Sequence, residues 1–286
     1  MDSNAKYATV VSPTIKVISG KVIVWGGIDI NNTSMTSGSI YDPSTNTWTA
    51  MSITNAPAIT YTVYMSPQAG ITNDNKLILW STSQRIGGVF DPSTNSWITI
   101  STTNSPSTRY NSVSAWTGSQ FIIWGGCTTD SGYGSCSGGN LTDGAMYDPT
   151  TDTWTAMSNT NAPVAGASVC NTWTGSKLFI WGGTNFSAGQ TSGALFDPST
   201  NSWMTLPTST LSTSHLSSPT YMIGSKVLVT QSVGSSPSEL SFYDPATNTW
   251  SKIDAHYGVP PRSGHTMVQQ GAGFIVWGGE YGLRLY

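Results

Sequence analysis

Several side chains that could bind an anion occupy one equivalent position in a repeated sequence. The position opens the first strand of each predicted repeat, and the two remaining repeats carry Gly166 and Thr60 there. The chain has only 11 Lys and Arg residues, so three of them at one repeated position suggest a shared role. Such groups can bind a carboxylate, and Arg does so through two parallel hydrogen bonds. The predicted ligand-binding residues are Lys6, Arg109, His215 and Arg262.

A structural role is the alternative for the same cations. Ion pairs that only stabilise a fold also place charges at regular positions. Each cation could bond to the backbone or to an Asp of a neighbouring repeat. The two interpretations differ in whether the charged group is free to meet a ligand.

Groups for acid–base catalysis are few. The chain has three histidines and two glutamates, with no Ser/His/Asp signature and no glycine-rich loop that leads into a helix. The one candidate catalytic residue is Glu280, which follows Gly279 in the same repeat as Arg262 and could move a proton. An ordinary solvated carboxylate is the alternative. We predict no cofactor and no metal, and we favour a protein without enzymatic activity.

The three cysteines bear on the compartment of the protein. Cys127 and Cys136 lie nine residues apart in a Gly- and Ser-rich segment, which favours a disulfide that closes a loop in an oxidising compartment. Two free loop thiols are the alternative. Cys170 lies in an apolar run and is predicted to be a core residue. No cysteine spacing suggests a zinc or redox site.

An internal repeat organises these residues. The octet Tyr/Phe-Asp-Pro-x-Thr-Asn/Asp-Ser/Thr-Trp occurs five times, with its tryptophans 49, 57, 49 and 47 residues apart. An apolar run that ends in Trp-Gly-Gly alternates with the octet in four copies, and two degenerate copies lack the glycines. The octets end at Trp48, Trp97, Trp154, Trp203 and Trp250, and the glycine pairs end at Gly27, Gly126, Gly183 and Gly279.

A period near 50 residues with short apolar runs predicts a β-propeller with four antiparallel strands per blade. In the third repeat the predicted strands are Arg109 to Trp116, Gln120 to Gly125, one that ends at Tyr147 and one that begins near Trp154. The Asp-Pro step fits the turn between the third and fourth strands, where the octet Asn or Asp tolerates the left-handed conformation. The five octet aspartates are therefore predicted to be structural.

These motifs resemble the kelch family, in which a glycine pair follows an apolar strand and an aromatic residue and a Trp come later in each repeat. The resemblance covers essentially the whole chain. It implies a single all-β domain over 1–286, a six-bladed kelch-type β-propeller with four-stranded antiparallel blades and an incomplete last blade. Without its outer strand, that blade exposes an edge for association with another chain. The predicted blades are 1–55, 56–104, 105–161, 162–210, 211–257 and, in part, 258–286.

The predicted strand order gives the two ends of each blade different connections. The turns between strands one and two and between strands three and four are tight and share one face. The other connections are long and vary in sequence, as at 28–39, 127–144 and 184–193. Variable loops on a rigid scaffold commonly carry function. The long-connection face and the mouth of the central channel are therefore the predicted binding site.

Composition excludes several classes of protein. Charged residues are 9% of the chain and the formal net charge is -3, which argues against binding to nucleic acid or to an anionic membrane. The 12 tryptophans can fill a core, which argues against disorder. No run reaches the roughly 18 apolar residues of a membrane helix. The start Met1-Asp2-Ser3-Asn4 is unlike a signal peptide, so we expect an extracellular or cell-surface protein that has lost its leader.

Three functions fit this sequence. We favour a non-catalytic interaction module that binds a protein or an acidic glycan. The second function follows from a likeness to sialic-acid mutarotase-like six-bladed kelch proteins, and it is an enzyme that acts on sugar acids through Glu280 and the repeated cations. The third is a structural fragment of a larger multidomain protein.

Overall fold

The computed structural model shows an all-β chain built from similar sheets. Within the described residues no helix occurs, and the strands form five four-stranded antiparallel sheets and three strand pairs. Repeated sheets of this kind are consistent with a β-propeller, while the count of six blades and the incomplete last blade stay predictions. The structure describes residues 11–61, 66–130, 136–163, 169–185, 188–189, 192–209, 220–233, 236–253, 263–270 and 273–280.

Contacts divide the chain into two compact units, and the prediction of one domain over 1–286 stays a prediction. Unit 1 comprises Met1–Trp124, Thr128–Ser137 and Asp143–Met157. Unit 2 comprises Gly125–Cys127, Gly138–Thr142 and Ser158–Tyr286.

Unit 1 contains three sheets whose strands pair in chain order. Sheet 1 consists of β1 (Thr14–Ile18), β2 (Lys21–Trp25), β3 (Gly38–Asp42) and β4 (Thr47–Ala50). Sheet 2 consists of β5 (Gln68–Ile71), β6 (Leu77–Ser81), β7 (Ile86–Asp91) and β8 (Ser96–Thr99). Sheet 3 consists of β9 (Val113–Trp116), β10 (Phe121–Trp124), β13 (Gly144–Asp148) and β14 (Thr153–Ala156). Between β10 and β13 the chain forms the strand pair of β11 (Cys127–Asp130) and β12 (Cys136–Asn140), whose residues are divided between the two units.

Unit 2 contains two sheets with the same strand order and two strand pairs. Sheet 4 consists of β15 (Cys170–Trp173), β16 (Leu178–Trp181), β19 (Gly193–Asp197) and β20 (Ser202–Thr205). Sheet 5 consists of β21 (Thr220–Ile223), β22 (Lys226–Val233), β23 (Ser236–Asp244) and β24 (Thr249–Ile253). The pairs are β17 (Thr184–Asn185) with β18 (Ala188–Gly189), and β25 (Ser263–Gln270) with β26 (Gly273–Glu280).

The second strand of each sheet supplies the core. Every residue of β10 is fully buried, as expected for a strand that is covered on both faces and reads as a continuous apolar run. Its last residue, Trp124, lies opposite Gly144 of β13. A Cβ on Gly144 would overlap the Ile123 carbonyl oxygen and lie 2.8 Å from the Trp124 Cα and 3.0 Å from the indole Cδ1, so the close approach of the two backbones, together with the ring, requires a glycine opposite Trp124.

Other sheets support this pairing of a large and a small residue. Trp25, Trp80 and Trp181 lie opposite Gly38, Gly87 and Gly193 in sheets 1, 2 and 4. In sheet 5 the tryptophan is replaced by Thr230, and the residue opposite is Leu240. The glycine therefore accompanies the tryptophan of the second strand.

The octet forms the turn that the sequence predicts. In all five copies the octet Asn or Asp has a positive φ, between 48° and 54°, which is the left-handed conformation that these residues tolerate. In the first octet Asp42 Oδ1 accepts hydrogen bonds from the backbone N–H of Ser44 at 2.9 Å and from its hydroxyl at 2.6 Å. The prediction that this aspartate has a structural role is confirmed by these bonds.

The first strand of the third repeat begins later than predicted. It was expected to start at Arg109, but β9 starts at Val113. Asn111 has a φ of 55°, which interrupts an extended chain, and the backbone N–H of Arg109 donates to the carbonyl of Thr82 instead. Arg109 therefore lies in the connection before the sheet.

In sheets 1, 3 and 4 the second strand ends at its tryptophan, and both glycines that follow have positive φ. Gly125 and Gly126 have φ values of 69° and 84°, which turn the chain out of sheet 3. In sheet 5, where the pair is absent, β22 continues to Val233 and pairs directly with the long strand β23. β26 extends through its own glycine pair to Glu280, so the pair does not end every second strand. Sheets 2 and 5 form without the pair, as the sequence predicts.

Candidate binding surface

Each octet tryptophan from sheet 2 onward bonds to the connection that precedes its sheet. Trp97 Nε1 donates to the carbonyl of Ser52 at 2.9 Å, and Trp154 Nε1 donates to the carbonyl of Ser101 at 2.8 Å. The octet polar side chain adds a second bond, because Asn95 Oδ1 accepts the N–H of Ser52 at 2.9 Å. The corresponding tryptophan bonds in unit 2 join Trp203 to Ser158 and Trp250 to Pro207.

The indole rings also join one sheet to the next. The rings of Trp25 and Trp97 have centroids 4.6 Å apart, and those of Trp80 and Trp154 are 4.8 Å apart. Tilted contacts at such distances are favourable for aromatic rings. Sheets 1, 2 and 3 are therefore held together by the octet of the later sheet in each pair.

The turn end of the sheets, where strands one and two and strands three and four are joined, is held by ion pairs. Lys21 bonds to Asp42 at 3.2 Å and Lys177 bonds to Asp197 at 2.9 Å. Hydrogen bonds from Ser44, followed by the contact with Lys21, lower the pKa of Asp42 from 3.8 to about 2. Hydrogen bonds from Ser199 and Lys177 lower the pKa of Asp197 to about 2. The carboxylates of Asp42 and Asp197 therefore stabilise the turn.

The connections at the opposite end have bonds of their own. In sheet 1, Asp29 Oδ1 accepts the backbone N–H groups of Asn31 and Thr33. In sheet 3 the connection forms the β11–β12 strand pair, and both Cys127 and Cys136 are disulfide-bonded. Cys170 is a buried cysteine that forms no disulfide. These connections carry defined structure.

Arg109, the predicted ligand-binding residue that the structure describes, is fully buried. Its Nη1 donates to the carbonyl of Asp143 at 2.9 Å, and its Nη2 lies 3.1 Å from the Asp143 carboxylate. Its Nε and Nη2 also donate to the carbonyl and the hydroxyl of Ser107, both at 3.0 Å. The guanidinium is thus bonded on all its nitrogens, which favours the structural alternative, and Asp143 was not identified from the sequence.

A small polar cavity of about 80 Å³ adjoins Arg109. Thr60, which the sequence places at the equivalent position of the second repeat, also lines it, together with Asp130 of β11. The structure therefore brings these two repeat positions to one cavity in unit 1. The other predicted ligand-binding residues, Lys6, His215 and Arg262, lie outside the described residues. Glu280 is the last residue of β26, and its side chain is not among those described.

The described residues contain no cluster of His, Cys, Asp and Glu that could hold a metal ion. They also contain no helix long and apolar enough to span a membrane.

Repeated four-stranded antiparallel sheets with a common turn place this chain in the class of β-propeller-like repeat proteins. A family model described as the KLHDC2/KLHL20/DRC7 Kelch-repeats domain matches residues 12–233. The chain belongs to the kelch-repeat family, as the octet and glycine motifs predict. No curated protein matches the chain.

Proposed function

We propose that this kelch-repeat chain is a non-catalytic interaction module that binds a partner protein through the long connections of its sheets. Kelch domains generally mediate protein interactions. The proposal names the surface that does so here, and it places the protein outside the cell or on the cell surface.

The difference in connection length between the two ends of the sheets carries the proposal. The turn between the third and fourth strands has four residues in every sheet, as at 43–46 and 149–152. The connection between the second and third strands has 12 residues in sheet 1 (26–37), four in sheet 2 (82–85) and 19 in sheet 3 (125–143). A surface that varies on a constant scaffold is where recognition commonly lies.

Arg109 supports this function by shaping the connection that follows β10. Its bonds to Asp143 fix the end of the 19-residue segment just before β13. Arg109 is fully buried while the Asp143 side chain is 53% exposed, so removal of the aspartate would leave a buried guanidinium without its counter-ion. Asp143→Asn and Arg109→Gln should therefore both alter the conformation of the connection between β10 and β13 and so affect partner binding. If Arg109 instead contacts the ligand directly, Arg109→Gln alone should lose binding.

An oxidising compartment is supported by the disulfide-bonded cysteines of the β11–β12 pair. Mass spectrometry of the unreduced protein after alkylation should find one reactive thiol on unfolding, at Cys170. Three reactive thiols in protein from its native source would contradict an exported location.

The test of the function is a capture experiment with the secreted or surface fraction of the source cell. In one variant the segment 127–140 is replaced by the short turn of sheet 2, residues 82–85. We expect partners bound by the wild type to be lost with this variant and kept with the control Ser44→Ala, which changes only the turn end. Partners that bind all three proteins equally would overturn the proposal.

A panel of acidic glycans and an anomer-exchange measurement by NMR address the alternatives. Accelerated exchange of a sialic-acid-type sugar that Glu280→Gln abolishes would replace the interaction module with an enzyme. Binding of acidic glycans without exchange would indicate a lectin.

A further inference from the structure

A larger cavity lies at the turn end of sheets 2 and 3, away from the long connections. Its volume is about 530 Å³, within the range of pockets that hold small ligands or side chains. It lies entirely within unit 1, between the first turn of sheet 2 and the turns of sheet 3. Its main polar and aromatic lining residues are Asp74, Lys76, Trp116, Tyr147, Asp148 and Asp152.

The first turn of sheet 2 departs from the repeat at this cavity. It has five residues, from Thr72 to Lys76, whereas the corresponding turn has two residues in sheets 1 and 5 and four in sheets 3 and 4. Asp74 in this longer turn bonds to Lys76 at 2.8 Å. In sheets 1, 4 and 5 the equivalent lysine bonds to the octet aspartate. Here it is diverted to Asp74.

Sheet 3 departs from the repeat at the same cavity in two ways. Gln120 stands where sheets 1, 2, 4 and 5 have a lysine, and Asp148 has no ion-pair partner among the described residues. Its one hydrogen bond there is from the N–H of Thr150, at 2.8 Å. Asp152 stands where the other octets have Asn. The cavity therefore has three carboxylates and one ammonium group in a chain with few charges.

Apolar and aromatic groups form the rest of the wall. Ile98, which lines the cavity, is 62% exposed, and the equivalent residue is Thr in sheets 1 and 3, Met in sheet 4 and Ser in sheet 5. Trp116 is half-buried beside it, and its orientation is fixed because Nε1 donates to Asn73 at 3.0 Å. An indole ring attracts a cation over its face, and an aliphatic stem gains from contact with an isoleucine.

We propose that the cavity between sheets 2 and 3 binds the side chain of an arginine or lysine from a partner polypeptide. The aliphatic stem packs on Ile98 and Trp116, and the charged head reaches the carboxylates of Asp148 and Asp152. Three departures from the usual repeat meet at this one cavity: the pairing of Lys76 with Asp74, Gln120 in place of lysine, and Asp152 in place of asparagine. The site goes beyond the proposed function and does not depend on it, because the two surfaces lie at opposite ends of the sheets of unit 1.

The test is calorimetric titration of the whole chain with blocked tripeptides that carry a central arginine, lysine or citrulline. Citrulline keeps the shape of arginine without its charge. We expect the arginine and lysine peptides to bind, the citrulline peptide to bind at least about tenfold more weakly, and salt to weaken binding. Chemical-shift mapping of the Trp116 indole N–H, assigned with Trp116→Phe, locates the site.

Two variants restore the repeat and should therefore fold. Gln120→Lys supplies the missing partner of Asp148, and Asp152→Asn restores the usual octet residue. Each should weaken the binding of the arginine peptide by about tenfold. Thr49→Lys, which adds the same charge as Gln120→Lys on the exposed strand β4, should leave the affinity unchanged. The proposal fails if charged and citrulline peptides bind alike, if Gln120→Lys binds as the wild type does, if no peptide binds, or if a neutral disaccharide binds at the Trp116 indole instead.

Discussion

The octet tryptophans of sheets 1 and 2, Trp48 and Trp97, pack in the same way within their own sheets but differ in their contacts with other sheets. Trp48 and Trp97 each pack on the aromatic residue that begins their octet, with centroids 5.0 and 4.9 Å apart. Trp97 is 3% exposed and Trp48 is 43% exposed. Trp97 also contacts Trp25 and bonds to Ser52, and within the described residues Trp48 has no such contacts with an earlier sheet.

This difference shows that the octet acts between repeats as well as within one. Its Asp-Pro turn and left-handed Asn are complete in sheet 1. Trp97 and Trp154 are buried where an earlier sheet supplies a second tryptophan and a carbonyl. Most of the stability that the tryptophan contributes should therefore depend on the neighbouring repeat.

The largest effect is expected from truncation of a tryptophan that joins two sheets. Trp97→Ala should lower the free energy of unfolding by about 3–5 kcal/mol, because it leaves a cavity beside Trp25. Trp48→Ala, the matched control, should lower it by about 1 kcal/mol. Urea unfolding followed by circular dichroism measures both. Equal losses would mean that the tryptophan stabilises its own sheet.

The next effect concerns the glycine opposite the second-strand tryptophan. Gly144→Ala should destabilise the protein by about 1–3 kcal/mol, because the new Cβ overlaps the Ile123 carbonyl oxygen and the Trp124 Cα and lies 3.0 Å from the indole Cδ1, the one contact that a change of Trp124 can relieve. Sheet 5, with Thr230 and Leu240 at these positions, suggests a compensating change. Trp124→Thr with Gly144→Ala should cost less than the sum of the single variants. Strict additivity in thermal unfolding would argue against a coupled pair.

A smaller effect separates Asn95 from Asn46. Asn95 bonds to the backbone of Ser52 in the preceding connection and of Ala50 at the end of β4, whereas the Asn46 side chain, within the described residues, bonds only to the hydroxyl of Tyr41. Both have positive φ, so strain is common to the two alanine variants. Asn95→Ala should cost about 1 kcal/mol more than Asn46→Ala. The same unfolding assay applies, and an equal cost would remove the octet Asn from the contact between sheets.

The smallest effect tests a feature that the sheets share. The pKa of Asp42 and that of Asp197 are both lowered to about 2, so their contribution to stability is present above about pH 4 and is lost as pH falls toward 2. Lys21→Gln and Lys177→Gln should each raise the pKa of the paired aspartate only partway, because the serine bonds remain. Carboxyl NMR titration measures this. Clearly different responses in the two sheets would contradict an equivalent turn.

The hydrogen bonds of the Asp-Pro turn could be predicted from the sequence because their donors and acceptors lie within one octet. Asp42, Ser44 and Asn46 are so close along the chain that backbone geometry brings them together. The start of β9 could not be predicted, because the octet gives no information about Asn111. The partner of Arg109 could not be predicted from the sequence either. Asp143 lies 34 residues later in a connection whose length and sequence differ between repeats, so periodicity could not identify it.

The cavity at Asp148 shows a different limit of sequence reading. Gln120 and Asp152 are visible as exceptions to the repeat, but each looks like ordinary variation when taken alone. Their meaning depends on Asp74 and Ile98 of the preceding sheet, which line the same space. Gln120 and Asp152 are related to Asp74 and Ile98 only through the packing of sheet 2 against sheet 3.

The bonds of Trp97 and Asn95 to the preceding connection also bear on how such a chain can grow. One octet carries both the tryptophan and the amide, and its acceptor in the earlier connection is a backbone carbonyl that any residue offers. A duplicated segment therefore brings its own means of attachment and requires little change in the sequence it joins. Repeats can therefore differ in their long connections while this attachment is retained. The connection between the second and third strands has 19 residues in sheet 3 and four in sheet 2, and both sheets keep the same attachment.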